Sequence, residues 1–154
     1  MIKLNKKTEY ALIALARLAG QPGARVSAKE LAREFNIPAD LLAKVLQQLQ
    51  GAGLIKSTQG PHGGYAIACE PGAVRLTDLI TLLEGPVAFV SCIAAIDHPE
   101  TEACEQSGNC NILPALHHLN GELRAVLQRY TLRDLLAEYP PLVPVSSITI
   151  RPHA

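Results

Sequence analysis

No run of apolar residues in this 154-residue chain approaches the roughly 18 to 20 that a membrane span needs. The N-terminus also lacks the apolar core and small-residue cleavage site of a secretory signal. A cytoplasmic location with no membrane partner is the expectation. Net charge is missing as well, because 14 basic residues offset 14 acidic ones. No nucleotide-binding glycine motif and no catalytic constellation is present, which argues against an enzyme. Cysteine is sparse: Cys69, Cys92, Cys104 and Cys110 are all there is. Without a secretory signal a disulfide framework is not expected, and ligation or redox chemistry is the alternative. No two of them stand about two to four residues apart, the pairing usual in structural zinc sites. The length suffices for one compact domain with an appended oligomerisation element, but not for two large domains.

The zero net charge conceals a division. Residues 1–67 carry nine Lys or Arg against four acids, net +5, whereas residues 68–154 carry five Arg against ten acids, net −5. The N-terminal half is therefore the one suited to an anionic partner, with an ordinary solvated surface as the plain alternative.

Asn5 reads as the cap of a first helix whose apolar side is Ala11, Ala14, Leu15 and Leu18, ended by Gly20 and a Gln-Pro-Gly turn. Ser27 caps a second, short helix through Leu31, Ala32 and Phe35 that stops at Asn36. Pro38 fits the first position of a third helix, with Leu41, Leu42, Val45, Leu46 and Leu49 as its expected buried stripe. Leu54–Ser57 and Tyr65–Ala68 flank the turn-rich Gln59–Gly64 and predict a two-stranded hairpin. A fourth helix from near Thr77 through Leu83 stops at Gly85-Pro86.

The expected fold is thus mainly α with a small β-hairpin wing: a winged helix-turn-helix domain over residues 1–85. An irregular, site-bearing loop over 86–110, a dimerisation helix with a short closing helix over 111–137, and a flexible tail over 138–154 follow it. The dimerisation helix is read from Ile112, Leu116, Leu119, Leu123, Val126 and Tyr130, spaced 4, 3, 4, 3, 4, the alternation of a helix-packing seam. Packing on its own domain is the alternative.

On the third helix Ala39, Asp40, Ala43, Lys44, Gln47 and Gln48 fall outside the stripe. Lys44, Gln47 and Gln48 suit phosphates or base edges, and Asp40 suits a cytosine amino group. With Ser27 and Lys29 at the second helix, and Lys56, Gln59 and His62 at the wing, they form the candidate contact set for double-stranded DNA. Cys92, Cys104 and Cys110 share one loop, and Cys110 precedes the seam helix, whose positive dipole end favours thiolates and an anionic cluster. Wide spacing is tolerated by iron–sulfur ligation. Cys69, just past the wing, reads as a small buried apolar residue.

At this point the chain resembles the IscR, NsrR and RirA family of bacterial winged-helix iron–sulfur regulators, over roughly residues 1–137. The likeness rests on Lys-Lys-Thr-Glu-Tyr-Ala-Leu near the N-terminus, Leu49–Leu54, the wing Gly60-Pro61-His62-Gly63-Gly64-Tyr65, the cysteines Cys92, Cys104 and Cys110, and Thr131–Leu135. The resemblance implies a homodimer on a palindromic operator and a cluster, 2Fe–2S or 4Fe–4S, in the cysteine loop, sensing cluster supply, oxidation or nitric oxide. Two departures stand out. The family sets its first two cysteines closer than the eleven-residue gap between Cys92 and Cys104, and its wing usually has Arg-Gly where this chain has Gln59-Gly60.

The fourth ligand is open. Family members can place an acid at the position of Glu9 and use it on the other subunit's cluster. Glu9 falls opposite the apolar side of its helix, so it is the expected ligand, with simple complementation of the helix dipole as the alternative. His98 is the runner-up, while His117 and His118 lie too far along the seam helix. A zinc-stabilised regulator without sensing and a small iron–sulfur redox protein are the competing readings.

Overall fold

The computed structural model describes residues 4–97 and 109–137. Cys104, His98 and the expected tail lie outside the described residues.

Helix α1 (Lys6–Ala19) starts as expected at Asn5, whose side chain accepts the Thr8 N–H at 2.9 Å. It buries Ala11, Ala14, Leu15 and Leu18. Helix α2 (Ala28–Glu34) opens with a reciprocal capping box. The Glu30 N–H donates to Ser27 Oγ at 3.1 Å and the Ser27 N–H to Glu30 at 2.8 Å. These bonds hold the Glu30 carboxyl below its ordinary pKa, the Ser27 backbone N–H being the largest cause. Asn36 then takes φ 51°, a left-handed conformation that Asn tolerates better than most residues, and this turns the chain into α3 (Ala39–Gly51).

Two expectations about α3 need correction. Pro38 is the residue before the helix rather than its first residue, a shift of one that still suits its missing N–H. The buried stripe is Leu42, Val45, Leu46 and Leu49, while Leu41 is 46% exposed. Each residue turns a helix by about 100°, so Leu41 stands beside that face rather than on it.

Strands β1 (Ile55–Thr58) and β2 (Gly64–Ile67) pair antiparallel, Ile55 opposite Ile67 and Thr58 opposite Gly64. Val26 bridges Tyr65 through bonds of 3.0 and 2.8 Å, tying the hairpin to the segment before α2. Gly64 is required there: its φ is 155° and a Cβ would come within 2.8 Å of the Val26 carbonyl oxygen.

Helix α4 (Leu76–Glu84) ends at Gly85, φ 92°. The region from 87 to 110 is not wholly irregular as expected, because Ser91–Asp97 forms a short helix, α5, that buries Ile93. Two turns are too few to display a hydrophobic period, which is why the sequence reads there as loop. Helix α6 (Leu113–Arg129) carries Pro114 in its first turn. Asn120 is its one buried residue, whereas Ile112, Leu119, Val126 and Tyr130 are 56%, 53%, 39% and 42% exposed.

After α6 the chain returns to the core. The Leu76 N–H donates to the Tyr130 carbonyl at 2.9 Å and the Leu132 N–H to the Val74 carbonyl at 2.8 Å. Leu132, fully buried, joins the cluster formed by Leu15, Leu31, Leu46, Leu49 and Leu79. Asp134 accepts from both the N–H and the hydroxyl of Thr131, and Arg133 pairs with Glu70. Those bonds, the Thr131 hydroxyl foremost, hold the Asp134 carboxyl below its ordinary pKa. A depressed folded-state pKa contributes stability that is present above the ordinary carboxylate range and lost as pH falls through the folded value. Asp134→Asn should therefore lower the melting temperature at pH 7, and the gap from the unsubstituted protein should close on acidification below about pH 4. Thermal melts at both pH values decide it, and a gap that persists in acid would assign the effect to something other than the carboxylate.

Candidate nucleic-acid interface and cysteine site

Helices α2 and α3, joined by the four residues 35–38, leave one side of α3 open. Asp40, Lys44 and Gln47 are exposed at helical spacing, Ala39 is exposed beside them, and Ala43 is half-buried. Gln48 differs from expectation, since its Nε2 donates to the Leu82 carbonyl at 3.0 Å and fastens α3 to α4. Ser27 and Gln59 are brought together: with Ser57, Thr58, Gly60 and Tyr65 they line a cleft of about 470 Å³ between the start of α2 and the wing. Ser57 and Thr58 went unnoticed in the sequence, although two adjacent hydroxyl residues at the end of a strand were the available signal. Lys29, Lys56 and His62 are exposed. Lys44 also edges a groove of about 310 Å³ with Lys6, Lys7, Tyr10 and the uncovered Leu41.

Glu9 lies in the first turn of α1, off its buried side, with its side chain 33% exposed. Its carboxylate is 2.5 Å from Lys6 Nζ. That hydrogen bond, and then the charge behind it, raises the Lys6 pKa.

Cys92 is the second residue of α5 and Cys110 lies two residues before Ile112, the cap of α6; both are half-buried free thiols. Helices α5 and α6 pack on each other. Cys69 is half-buried rather than buried, and desolvation raises its pKa. Among the described residues no group of three or more His, Cys, Asp or Glu is placed to hold a metal ion. Cys104 and His98 are not among them.

Three helices, a hairpin wing and an open face on the third helix define a winged helix-turn-helix transcriptional regulator. Residues 4–138 match the Rrf2 family model, described as an iron-dependent transcriptional regulator. The chain belongs to the Rrf2 family. It is 40% identical over 102 residues to a putative HTH-type regulator, BadM, of Rhodopseudomonas palustris, a match spanning 66% of this chain and 65% of that protein. It is 32% identical to the HTH-type regulator NsrR of Halalkalibacterium halodurans over 88% of this chain and 90% of the other. Among solved structures it is similar to CymR, the global cysteine regulator of B. subtilis, with a TM-score of 0.70 and 30% identity over 88% of this chain and 97% of that one. These relatives are transcriptional regulators rather than enzymes, as the absence of a catalytic constellation led one to expect.

Because Ser27 Oγ completes the α2 cap, Ser27→Ala should cost about 1 kcal/mol of stability whatever the residue does toward DNA. Urea unfolding followed by circular dichroism reads this directly; a change below a few tenths of a kcal/mol would mean that the cap carries no weight.

Proposed function

We propose that this Rrf2 regulator is a homodimeric repressor that binds a palindromic double-stranded operator and holds an iron–sulfur cluster on Cys92, Cys104 and Cys110, with Glu9 of the partner subunit as the fourth ligand. The genes it controls are those of iron–sulfur assembly or of the response to oxidants and nitric oxide. One observation carries the reading: Cys92 and Cys110 stand on or just before two helices that pack on each other, and the second of these helices leaves Ile112, Leu119, Val126 and Tyr130 of its apolar stripe exposed, with Leu116 and Leu123 half-buried.

The donor set fits such a group. Thiolates are the soft ligands iron–sulfur clusters use, both described candidates are free and half-buried, and the family model is that of iron-dependent regulators. When bound, the cluster supplies an anionic centre sensitive to redox state and nitric oxide. Desolvation raises the Cys69 pKa, and Cys69, just past the wing and apart from the other cysteines in sequence, is left outside the set. Glu9 is already oriented away from the core, and the Lys6 ammonium that holds it is exposed to solvent and easily displaced.

A second copy is the natural cover for Ile112, Leu119, Val126 and Tyr130, since burying a large apolar side chain is worth about 1.5 to 3 kcal/mol. Twofold symmetry then presents two α3 helices to half-sites about 10 bp apart, or a multiple of that. Lys44, Gln47 and Asp40 face the major groove. Ser27, Lys29, Lys56, Gln59 and His62 follow the backbone.

Anaerobically purified protein should be coloured and contain iron and acid-labile sulfide. Alanine at Cys92, Cys104 or Cys110 should abolish both, Cys69→Ala should leave both intact, and Glu9→Ala should shorten cluster lifetime in air. Colourless protein with stoichiometric zinc would replace this reading with that of a zinc-stabilised regulator.

Two further outcomes test the DNA-bound dimer. Lys44→Ala should weaken operator binding and reduce the slope of log affinity against log salt by about one, measured by fluorescence anisotropy. Leu119→Glu should sediment as a monomer. An unchanged slope, or a dimer that survives Leu119→Glu, would remove the corresponding contact from the model of the complex.

A further inference from the structure

A buried polar side chain in the middle of a helix whose other residues are half-buried or exposed calls for a reason. Asn120 is 3% exposed and is the one buried residue of α6. Both ends of its amide are engaged: Oδ1 accepts the Phe89 N–H at 3.1 Å and Nδ2 donates to the Val87 carbonyl at 3.1 Å. A side-chain amide presents a donor and an acceptor side by side, so here it pairs with the 87–89 backbone much as a neighbouring strand does. No apolar residue can replace it, because the Phe89 N–H and Val87 carbonyl would remain part-buried and unpaired.

The position of that backbone matters. Residues 87–89 link the Gly85 stop of α4 to α5, which carries Cys92. Cys110 lies at the other end, just before α6. A ligand shared by Cys92 and Cys110 therefore joins α5 to the start of α6, while Asn120 joins the approach to α5 to the middle of α6. One attachment leaves a pivot; two attachments about 10 Å or more apart along the axis, at 1.5 Å per residue, fix an angle.

We propose that Asn120 is the positioning residue that converts a change at the cysteine helix into a change in the orientation of α6, and hence in the spacing of the paired DNA-binding units. Its use by the cluster rests on the function proposed above, but the mechanical coupling does not. Without the two amide bonds, α5 and its cysteine keep only their packing on α6, so the protein still loads its ligand and still binds DNA, but a change at the one is passed on far less to the other.

The test compares unsubstituted protein with Asn120→Ala in two arms, each read as operator affinity. In the first arm both proteins are measured anaerobically with and without reconstituted cluster. In the second, metal-free proteins with serine at Cys69, Cys104 and Cys110 are measured before and after alkylation of Cys92 by N-ethylmaleimide. Asparagine at 120 should give a change of about tenfold in each arm, within the usual range of coupling between sites, and alanine a change under about twofold. If the first arm fails because no iron is taken up while the second shows the difference, the cluster reading falls and the coupling stands. Equal responses of the two proteins in the second arm, or no response from the protein that retains Asn120, overturn the proposal. Should Asn120→Ala not fold, Asn120→Asp keeps the acceptor for the Phe89 N–H, loses the donor to Val87, and should respond less than the asparagine protein; an undiminished response overturns the proposal equally.

Discussion

The chain leaves its helical core at Gly85 and re-enters it at Thr131, and among the described residues α5 and α6 lie between those two points. At the return, Leu132 is fully buried among the leucines of α1 to α4, and the Thr131, Asp134, Glu70 and Arg133 bonds hold the segment in place. Helix α6 is therefore not a free appendage. It packs on α4, is tied at its C-terminal end to the unit that carries α3, and is tied along its length by Asn120 to the approach of α5. Its stripe of Ile112, Leu119, Val126 and Tyr130 has no cover within the described residues of one chain, so the same helix that a second subunit would clasp is the one rigidly referred to the DNA-binding core.

This arrangement explains why the two halves of the sequence differ in sign. The positive half builds the α1–α3 unit and wing, where Lys29, Lys44 and Lys56 are exposed, as the proposed phosphate contacts require. The negative half builds α4, α5 and α6, outside the proposed DNA contacts.

Much of the fold was legible because its signals are local. Asn5 and Ser27 are caps with a physical mechanism, and both are found capping; the turn glycines around the wing forced the hairpin. The errors share a cause, which is that they depend on what lies across space. Leu41 carries a core residue's chemistry but sits beside the stripe, Gln48 looks like an outward-facing residue until α4 arrives to accept its amide, and α5 is too short for a period to be seen. Asn120 was hidden inside an apolar seam, where a lone amide reads as an ordinary helix position and only its backbone partners at 87 and 89 reveal its use. At the candidate site, Cys110 was recognisable as a thiol just before a helix and Cys92 as a thiol in the same loop, but the helix α5 that carries Cys92 and its packing on α6 are tertiary facts.

The central claim is that ligation at the cysteine segment alters the grip of the paired α3 helices on DNA. It is tested most directly by selecting duplexes from a random pool with anaerobic, cluster-loaded protein and separately with metal-free protein, then measuring both forms against every enriched sequence at one salt concentration. The account predicts at least one family of sequences for which the two forms differ by about tenfold or more. Equal affinity of the two forms for all enriched sequences would contradict it.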